Sequence, residues 1–145
     1  MSNKTGGCLC GAVRFTLSNP GTDFTACHCE MCRRWAGSAL LAFTVPRDSA
    51  AIEGAENIAT IQSSEWAERA WCRSCGSGLW YRLTLVDQPD ELQIPVGLLD
   101  DASGLTFSSE IFIDCKPDSY AYAGTRNTMT RAEVFAKYAP SAEET

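Results

Sequence analysis

Short apolar runs separated by turn residues recur along the chain and predict β-strands. In Gly11–Leu17 the apolar side chains Val13, Phe15 and Leu17 alternate with polar ones, which is typical of a strand with one buried face. Five more segments carry alternating or β-rich patterns: 38–45, 57–62, 79–85, 91–98 and 109–114. Pro95 within one of them indicates an edge position or a bulge. Their spacing of about 10 to 20 residues favours an antiparallel, mostly β domain.

One helix is predicted, near the C-terminus. The segment Thr130–Glu133 (TRAE) is a capping-box sequence, in which the Thr and Glu side chains can each accept a hydrogen bond from the other residue's backbone N–H. We expect a short helix to begin there and to end before Pro140, packing the core or covering a sheet edge. Residues 1–140 are therefore predicted to form a single domain, and residues 141–145 to form an acidic tail.

Composition and charge argue against nucleic acid and membranes as partners. The chain has 145 residues, with 12 Lys and Arg against 18 Asp and Glu, and its net charge of −6 has the wrong sign for a nucleic-acid surface. No apolar run approaches the ~20 residues that a membrane-spanning helix needs. The N-terminus lacks the pattern of a secretory signal, so we expect a cytoplasmic protein. Cysteines in that reducing compartment more often bind metal or act in catalysis than form disulfides.

Seven of the eight cysteines fall into three tight groups: Cys8-Leu-Cys10, Cys27-His-Cys29-Glu-Met-Cys32 and Cys72-Arg-Ser-Cys75. Such spacing suits thiolate ligands of a tetrahedral ion, because zinc–sulfur bonds of about 2.3 Å require the ligands to converge from compact loops. Cys72 and Cys75, followed by Gly76, have the form of a zinc knuckle, in which the glycine gives the backbone freedom to turn. Cys8 and Cys10, two apart in a segment expected to be extended, would project to the same side.

The two predicted zinc sites differ in their number of ligands. A closed, structural four-cysteine site would comprise Cys8, Cys10, Cys72 and Cys75. The remaining group, Cys27, Cys29 and Cys32, would provide three protein ligands and leave a fourth position open, which is the pattern of a reactive zinc. The sequence therefore predicts two zinc ions, one that stabilises the fold and one that can bind water, a thiolate or a carbonyl oxygen.

Three other interpretations of these cysteines stay open. They could form structural disulfides, although the odd group of three disfavours that. They could hold an iron–sulfur cluster, although none of the usual spacings is present. The group of three could also gain His28 or Cys115 as a fourth ligand, which would close the second site and leave a purely structural protein. We expect His28 to point away from the neighbouring sulfurs, and Cys115 to be a half-buried residue at a strand end.

The cysteine groups and their flanking residues resemble the family of glutathione-dependent formaldehyde-activating enzymes. The resemblance rests on three segments: GGCLCGAVRF from Gly6, CHCEMCRRWAGS from Cys27 and WCRSCGSGL from Trp71. It extends more loosely to Val96–Asp101 and Ile111–Asp118, and it covers residues 6–125. It implies a β-tent-like, mostly β fold with zinc, and the same division into a structural site and a reactive site.

The activity that this resemblance implies is that of a carbon–sulfur lyase, which makes or breaks S-(hydroxymethyl)glutathione near Cys27, Cys29 and Cys32. Zinc with an open position can deprotonate a bound thiol, and the thiolate can then add to a small aldehyde. Glutathione, the possible co-substrate, is anionic, so local cations are needed to hold it. Arg33 and Arg34, directly after Cys32, are the expected binding residues.

Two positions depart from the common family pattern and favour an alternative function. Glu110 stands where members commonly carry a histidine, and Ser119 stands where an aromatic residue commonly follows Lys-Pro-Asp. A carboxylate cannot act as a neutral imidazole would, and it repels an anionic ligand, although a solvated strand residue is the simpler interpretation of Glu110. The alternative is a zinc-stabilised binding module without catalytic activity.

Overall fold

The computed structural model describes residues 3–138, so Pro140 and the predicted acidic tail at 141–145 lie outside the described residues. The chain forms two compact units. The first contains the residues up to Thr22 together with Ala42–Leu105, and the second contains Asp23–Leu41 together with the residues from Thr106 onward. Each unit has its own paired strands and its own group of cysteines.

The first unit begins with a three-stranded antiparallel sheet. Its strands are β1 (Asn3–Gly7), β2 (Arg14–Ser18) and β5 (Ala50–Glu53), with β2 in the centre. Phe15 and Leu17 alternate along β2 and are buried, as the apolar pattern predicts. Gly6 lies opposite Phe15 in the ladder. A Cβ atom at Gly6 would overlap the backbone carbonyl oxygen of Leu98, so the close approach requires glycine.

Five further strands pair antiparallel in the first unit. In spatial order they are β4 (Leu40–Pro46, in this unit from Ala42), β9 (Glu91–Pro95), β8 (Gly78–Leu83), β7 (Ala67–Cys72) and β6 (Ile58–Gln62). Alternate apolar side chains on β4 and β9, among them Val45, Leu92 and Ile94, are fully buried. Of the two knuckle cysteines, Cys72 is the last residue of β7, and Cys75 lies in the turn before β8 begins at Gly78.

The strands of the second unit pair in parallel. Strand β10 (Thr106–Ile111) lies between β3 (Asp23–Cys27) and β11 (Asn127–Met129). Helix α1 (Glu30–Ala36) follows β3 closely and ends at Gly37, whose φ of +82° is the left-handed conformation of a helix C-cap. Helix α2 (Arg131–Tyr138) follows β11. Among the described residues no helix is long and apolar enough to cross a membrane.

The predicted mostly β architecture with a short C-terminal helix is confirmed. Strands overlap all six predicted segments, and the capping box at Thr130 opens helix α2. The antiparallel prediction describes the first unit, whereas β10 pairs in parallel with both neighbours. Helix α1 and the short strands β1, β3, β5, β7 and β11 were not predicted. Segments of only three to seven residues are too short to show a clear periodicity, and long-range pairing decides their conformation.

Candidate functional site: two cysteine clusters

Four cysteine sulfurs converge in the first unit. The four are Cys8, Cys10, Cys72 and Cys75, and their Sγ atoms all lie within 4.8 Å of one another. The Sγ atom of Cys10 lies 3.7 Å from that of Cys8 and 3.8 Å from that of Cys72. A regular tetrahedron with metal–sulfur bonds of ~2.3 Å has sulfur–sulfur edges of about 3.8 Å. Both the donor set and its spacing therefore fit a tetrahedral metal ion such as zinc.

A turn, and not an extended segment as predicted, presents the first two cysteines. Strand β1 ends at Gly7, and the Cys8 N–H donates to the carbonyl of Val13 at 3.0 Å. Gly11 has a φ of +81°, and its N–H donates to the Cys8 carbonyl at 3.2 Å. The chain can reverse this tightly because glycine adopts positive φ without a Cβ clash. The reversal places both Cys8 and Cys10 beside the knuckle.

The knuckle cysteines are held by a second turn, and Ser77 joins the two halves of the cluster. Gly76, with a φ of +83°, donates its N–H to the Cys72 carbonyl at 2.7 Å. The Oγ atom of Ser77 accepts the N–H of Leu9 at 3.0 Å and lies 3.2 Å from the Sγ of Cys75. One hydroxyl thus contacts both cysteine segments, a link that the cysteine spacing does not indicate.

Hydrogen bonding separates the pKa values of the thiols in this cluster. The side-chain and backbone hydrogen bonds of Ser77 lower the pKa of Cys75 to about 5, against the effect of burial. At Cys10 the backbone hydrogen bond of Ala12 lowers the pKa, but burial and the neighbouring sulfurs outweigh it and raise the value to about 11. Because metal ligation requires thiolates, a metal ion held by these four cysteines would displace the proton from Cys10.

Three further sulfurs converge in the second unit. The Sγ atoms of Cys27, Cys29 and Cys32 lie within 4.8 Å of one another. Cys27 ends β3, Cys29 is the N-cap of α1, and Cys32 lies in the first turn of that helix. The N–H of Cys32 donates to the Sγ of Cys29 at 3.3 Å. Cys32 is buried and the other two are half-buried, so the cluster is partly accessible to solvent on the side of Cys27 and Cys29.

Among residues 3–138 no fourth His, Cys, Asp or Glu ligand joins these three sulfurs. The Nε2 atom of His28 lies 2.7 Å from Glu110 instead. The Sγ of Cys115, in the turn after β10, accepts a hydrogen bond from Arg131 at 3.5 Å. The two residues that could have closed the second site therefore have other partners. A three-thiolate donor set fits a metal ion that keeps one position for a further ligand.

The Cys27 thiol is made harder to ionise by the two sulfurs beside it. Hydrogen bonds with Cys29 and Cys32, together with burial, raise the pKa of Cys27. A thiolate at Cys27 would lie against two further sulfurs in a partly desolvated position. A divalent cation held by Cys27, Cys29 and Cys32 would favour the thiolate forms, because its positive charge would offset much of theirs.

Glu110 is buried, contrary to the expectation of a solvated strand residue. It is 6% exposed, with Oε1 2.7 Å from His28 Nε2 and Oε2 accepting from Arg126 Nη1 at 2.6 Å. Burial acts to raise the pKa of Glu110, but the hydrogen bonds from His28 and Arg126 outweigh it and lower the pKa. The ionised carboxylate is compensated, so it does not present a free negative charge. No sequence pattern marks Arg126, which lies in an irregular segment.

Arg33 and Arg34 lie in the last turn of α1 and are both exposed. Within residues 3–138 neither side chain forms an ion pair or a hydrogen bond. Both guanidinium groups are therefore available to an external anion. Ser119, by contrast, is an exposed residue of the segment before β11.

Comparison with known proteins matches residues 3–115 to the family model of the glutathione-dependent formaldehyde-activating enzymes. A Schizosaccharomyces pombe protein named as an uncharacterized lyase is 33% identical over 134 residues, which are 92% of this chain and 96% of the relative. A Halomonas elongata protein with the name "Putative glutathione-dependent formaldehyde-activating enzyme" is 35% identical over 83 residues, 52% of this chain and 53% of that one. A Rhodobacter sphaeroides crystal structure is similar with a TM-score of 0.56 at 29% identity, covering 66% of this chain and 87% of that chain.

Proposed function

The chain belongs to the family of glutathione-dependent formaldehyde-activating enzymes, and from that premise we propose that it is a carbon–sulfur lyase acting on a thiol–aldehyde adduct. The adduct would be S-(hydroxymethyl)glutathione or a close relative. The observation that carries the proposal is the three-cysteine cluster at the start of α1, which no fourth protein ligand among residues 3–138 completes. Cys27, Cys29 and Cys32 would hold a zinc ion there, and Cys8, Cys10, Cys72 and Cys75 a structural zinc ion.

The proposed reaction breaks or forms one bond to sulfur without oxidation. In the breaking direction the carbon–sulfur bond of R–S–CH2–OH is cleaved and its electron pair goes to sulfur. The hydroxyl group loses its proton, its carbon–oxygen bond becomes the double bond of formaldehyde, and the proton ends on the thiol product. A zinc ion in the three-cysteine cluster, when bound, would supply a Lewis acid that favours the thiolate at neutral pH.

The chain's own cations would bind the substrate. Glutathione is an anion, and a protein with a net charge of −6 repels it at long range. Arg33 and Arg34 directly follow the last cysteine of the cluster, and both are exposed and have no ion-pair partner among the described residues. Guanidinium groups bind carboxylates in a bidentate manner. We therefore assign substrate binding to these two arginines.

We also propose a cytoplasmic location and a small molecule as the partner. No disulfide joins any of the eight cysteines, all of which lie within the described residues. Thiols in this state suit a reducing compartment, where glutathione is itself abundant as a thiol. A location of this kind would supply the co-substrate and keep the three-cysteine cluster competent to bind metal.

The proposal is tested by comparing Cys29→Ser with Cys115→Ser. Exchange between free formaldehyde and S-(hydroxymethyl)glutathione is measured by NMR magnetisation transfer with wild-type protein and with each variant. Cys29→Ser is expected to reduce the catalysed exchange at least about 100-fold, because it removes one of three metal ligands. Cys115→Ser is the matched control, since Cys115 lies outside both clusters, and it should retain wild-type exchange. Equal exchange in Cys29→Ser and wild type would contradict the lyase and favour the non-catalytic binding module.

A further inference from the structure

A buried chain of three polar side chains lies beside the three-cysteine cluster. Glu110 is its centre, with one carboxylate oxygen 2.7 Å from His28 Nε2 and the other 2.6 Å from Arg126 Nη1. The side chains of Glu110 and Arg126 are each 8% exposed and that of His28 is 1% exposed. Buried ionisable groups are uncommon in a fold of this size, so this network needs a physical reason.

The network is joined to the cluster through the backbone. His28 lies between Cys27 and Cys29, and its N–H donates to the carbonyl of Ile111 at 3.1 Å. Ile111 directly follows Glu110 and is the register partner of Cys27 in the parallel β3–β10 pair. Two consecutive residues of β10 thus hold one residue of the cysteine segment, one through its side chain and the other through its backbone.

Stability alone is a weak reason for this arrangement. Buried ion pairs are often no more stabilising than apolar side chains of similar volume, because desolvation offsets the attraction. Two polar atoms of the network, His28 Nδ1 and Arg126 Nε, are buried and have no hydrogen-bond partner within residues 3–138, which adds a further cost. What the network does provide is one orientation of the His28 side chain. The rings of Tyr120 and Tyr122 lie 6.4 and 6.1 Å from the imidazole and restrict it further.

We propose that Glu110, held by Arg126, is a positioning residue that fixes His28 and thereby keeps Cys27 and Cys29 at the spacing that binds a metal ion. This inference rests on the proposed metal site at the three-cysteine cluster. His28 is not a ligand in this scheme. The hydrogen bonds of its backbone N–H and of its imidazole fix the path of the backbone between the two flanking ligands. Hydrogen-bonded groups behind metal ligands orient those ligands in the same way in other sites.

The test measures metal affinity at each cluster in the full chain. The protein is titrated with cobalt(II) in competition with a chromophoric chelator, and the thiolate-to-cobalt absorption bands report the two clusters separately. Glu110→Gln keeps the shape of the side chain and removes its charge. It is expected to weaken binding at the three-cysteine cluster about 10- to 100-fold. Binding at the four-cysteine cluster, whose ligands lie in the other unit, is expected to be unchanged and serves as the internal reference.

Glu68→Gln is the matched control for the loss of a partly buried, paired carboxylate. Glu68 accepts hydrogen bonds from Trp80 at 3.3 Å and Arg82 at 3.0 Å and contacts neither cluster. It should leave both affinities unchanged. Equal affinity in Glu110→Gln and wild type would overturn the inference alone. A wild-type protein that binds only one metal ion would overturn the proposed function and the inference together.

A second variant covers the case in which Glu110→Gln fails to fold because Arg126 is left buried without its counter-ion. The double variant Glu110→Gln with Arg126→Met removes both charges. If it folds and binds metal weakly at the three-cysteine cluster, the inference is supported, and wild-type affinity would overturn it. If neither variant folds, the network belongs to the stability of the fold, and the positioning role is overturned.

Discussion

The Sγ atoms of Cys10 and Cys72 lie 3.8 Å apart although 62 positions separate the two residues along the chain. That distance is about the edge of a zinc–sulfur tetrahedron. The contact joins the turn after β1 to the end of β7, both in the first unit. A metal ion bound here would therefore tie the N-terminal sheet to the central strands.

Loss of a metal ion from the four-cysteine cluster is expected to unfold the first unit. Structural zinc binding contributes on the order of 10 kcal/mol, comparable with the whole stability of a small domain, ~5–15 kcal/mol. Cys75→Ser should therefore lose one metal equivalent and its cooperative thermal transition. Metal content by mass spectrometry and circular dichroism melting curves measure the two effects. Cys115→Ser is the control, and a Cys75→Ser protein with the wild-type melting temperature would show that the cluster does not stabilise the fold.

Charge reversal at Arg33 or Arg34 is expected to weaken substrate binding more than turnover. Either Arg33→Glu or Arg34→Glu should raise KM about 10-fold with little change in kcat, since an exposed cation acts mainly through binding, and the effect should shrink at high salt. Kinetics at two ionic strengths measure both properties. Arg47→Glu, an equal charge change at an exposed residue of the first unit, is the control. Equal KM increases in all three variants would mean that only net charge matters.

The Arg14–Asp100 pair predicts an acid-sensitive contribution to stability. Hydrogen bonds from Arg14 and then Thr5 lower the pKa of Asp100 to about 2. The unfolded-state pKa is higher, ~3.9, so the contribution is complete above that value and is lost as the pH falls through about 2. Asp100→Asn should remove this part of the pH dependence of the melting temperature between pH ~4 and ~2. Because both side chains are more than one third exposed, the effect should be small and screened by salt.

A matched variant for that experiment is Asp118→Asn, which alters an exposed carboxylate. Within residues 3–138 Asp118 forms no ion pair. It should leave the acid branch of the stability curve as it is in wild type. An identical acid branch in Asp100→Asn and Asp118→Asn would show that the Arg14 pair contributes nothing to it.

The capping box of α2 predicts a local effect on stability. The Thr130 N–H donates to Glu133 Oε1 at 2.7 Å, and the Glu133 N–H donates to Thr130 Oγ1 at 3.3 Å. Thr130→Ala removes the cap acceptor and should cost about 1 kcal/mol in the free energy of unfolding, measured by denaturant titration. Thr130→Ser keeps the hydroxyl and should stay close to wild type. A loss of equal size in both variants would point to packing of the methyl group.

The cysteine groups and the capping box could be predicted because their signals are local. Cysteines a few positions apart can reach one ion from a single compact loop, so their spacing alone indicates a shared site. The structure brings together the same seven sulfurs that the spacing groups, in sets of four and three. The backbone that presents Cys8 and Cys10 was predicted wrongly as extended. Gly11 takes a positive φ there, and glycine alone does not indicate which residue will turn.

The buried network around Glu110 could not be predicted for a different reason. Its three members, His28, Glu110 and Arg126, come from separate segments and meet because β10 lies in parallel register between β3 and β11. Taken one at a time, polar side chains such as these are usually expected to be exposed to solvent. Pairing between distant strands is set by the whole fold, so a single sequence carries little information about it.

The spacing of ligands along the chain has a consequence for protein synthesis. Cys27, Cys29 and Cys32 leave the ribosome together, whereas Cys8 and Cys10 are made long before Cys72 and Cys75. Cys8 and Cys10 therefore provide only two of the four ligands while the intervening chain is translated. The loop between Cys10 and Cys72 must then close before the four sulfurs can meet. During this interval the nascent chain exposes two thiols to oxidants and to competing metals.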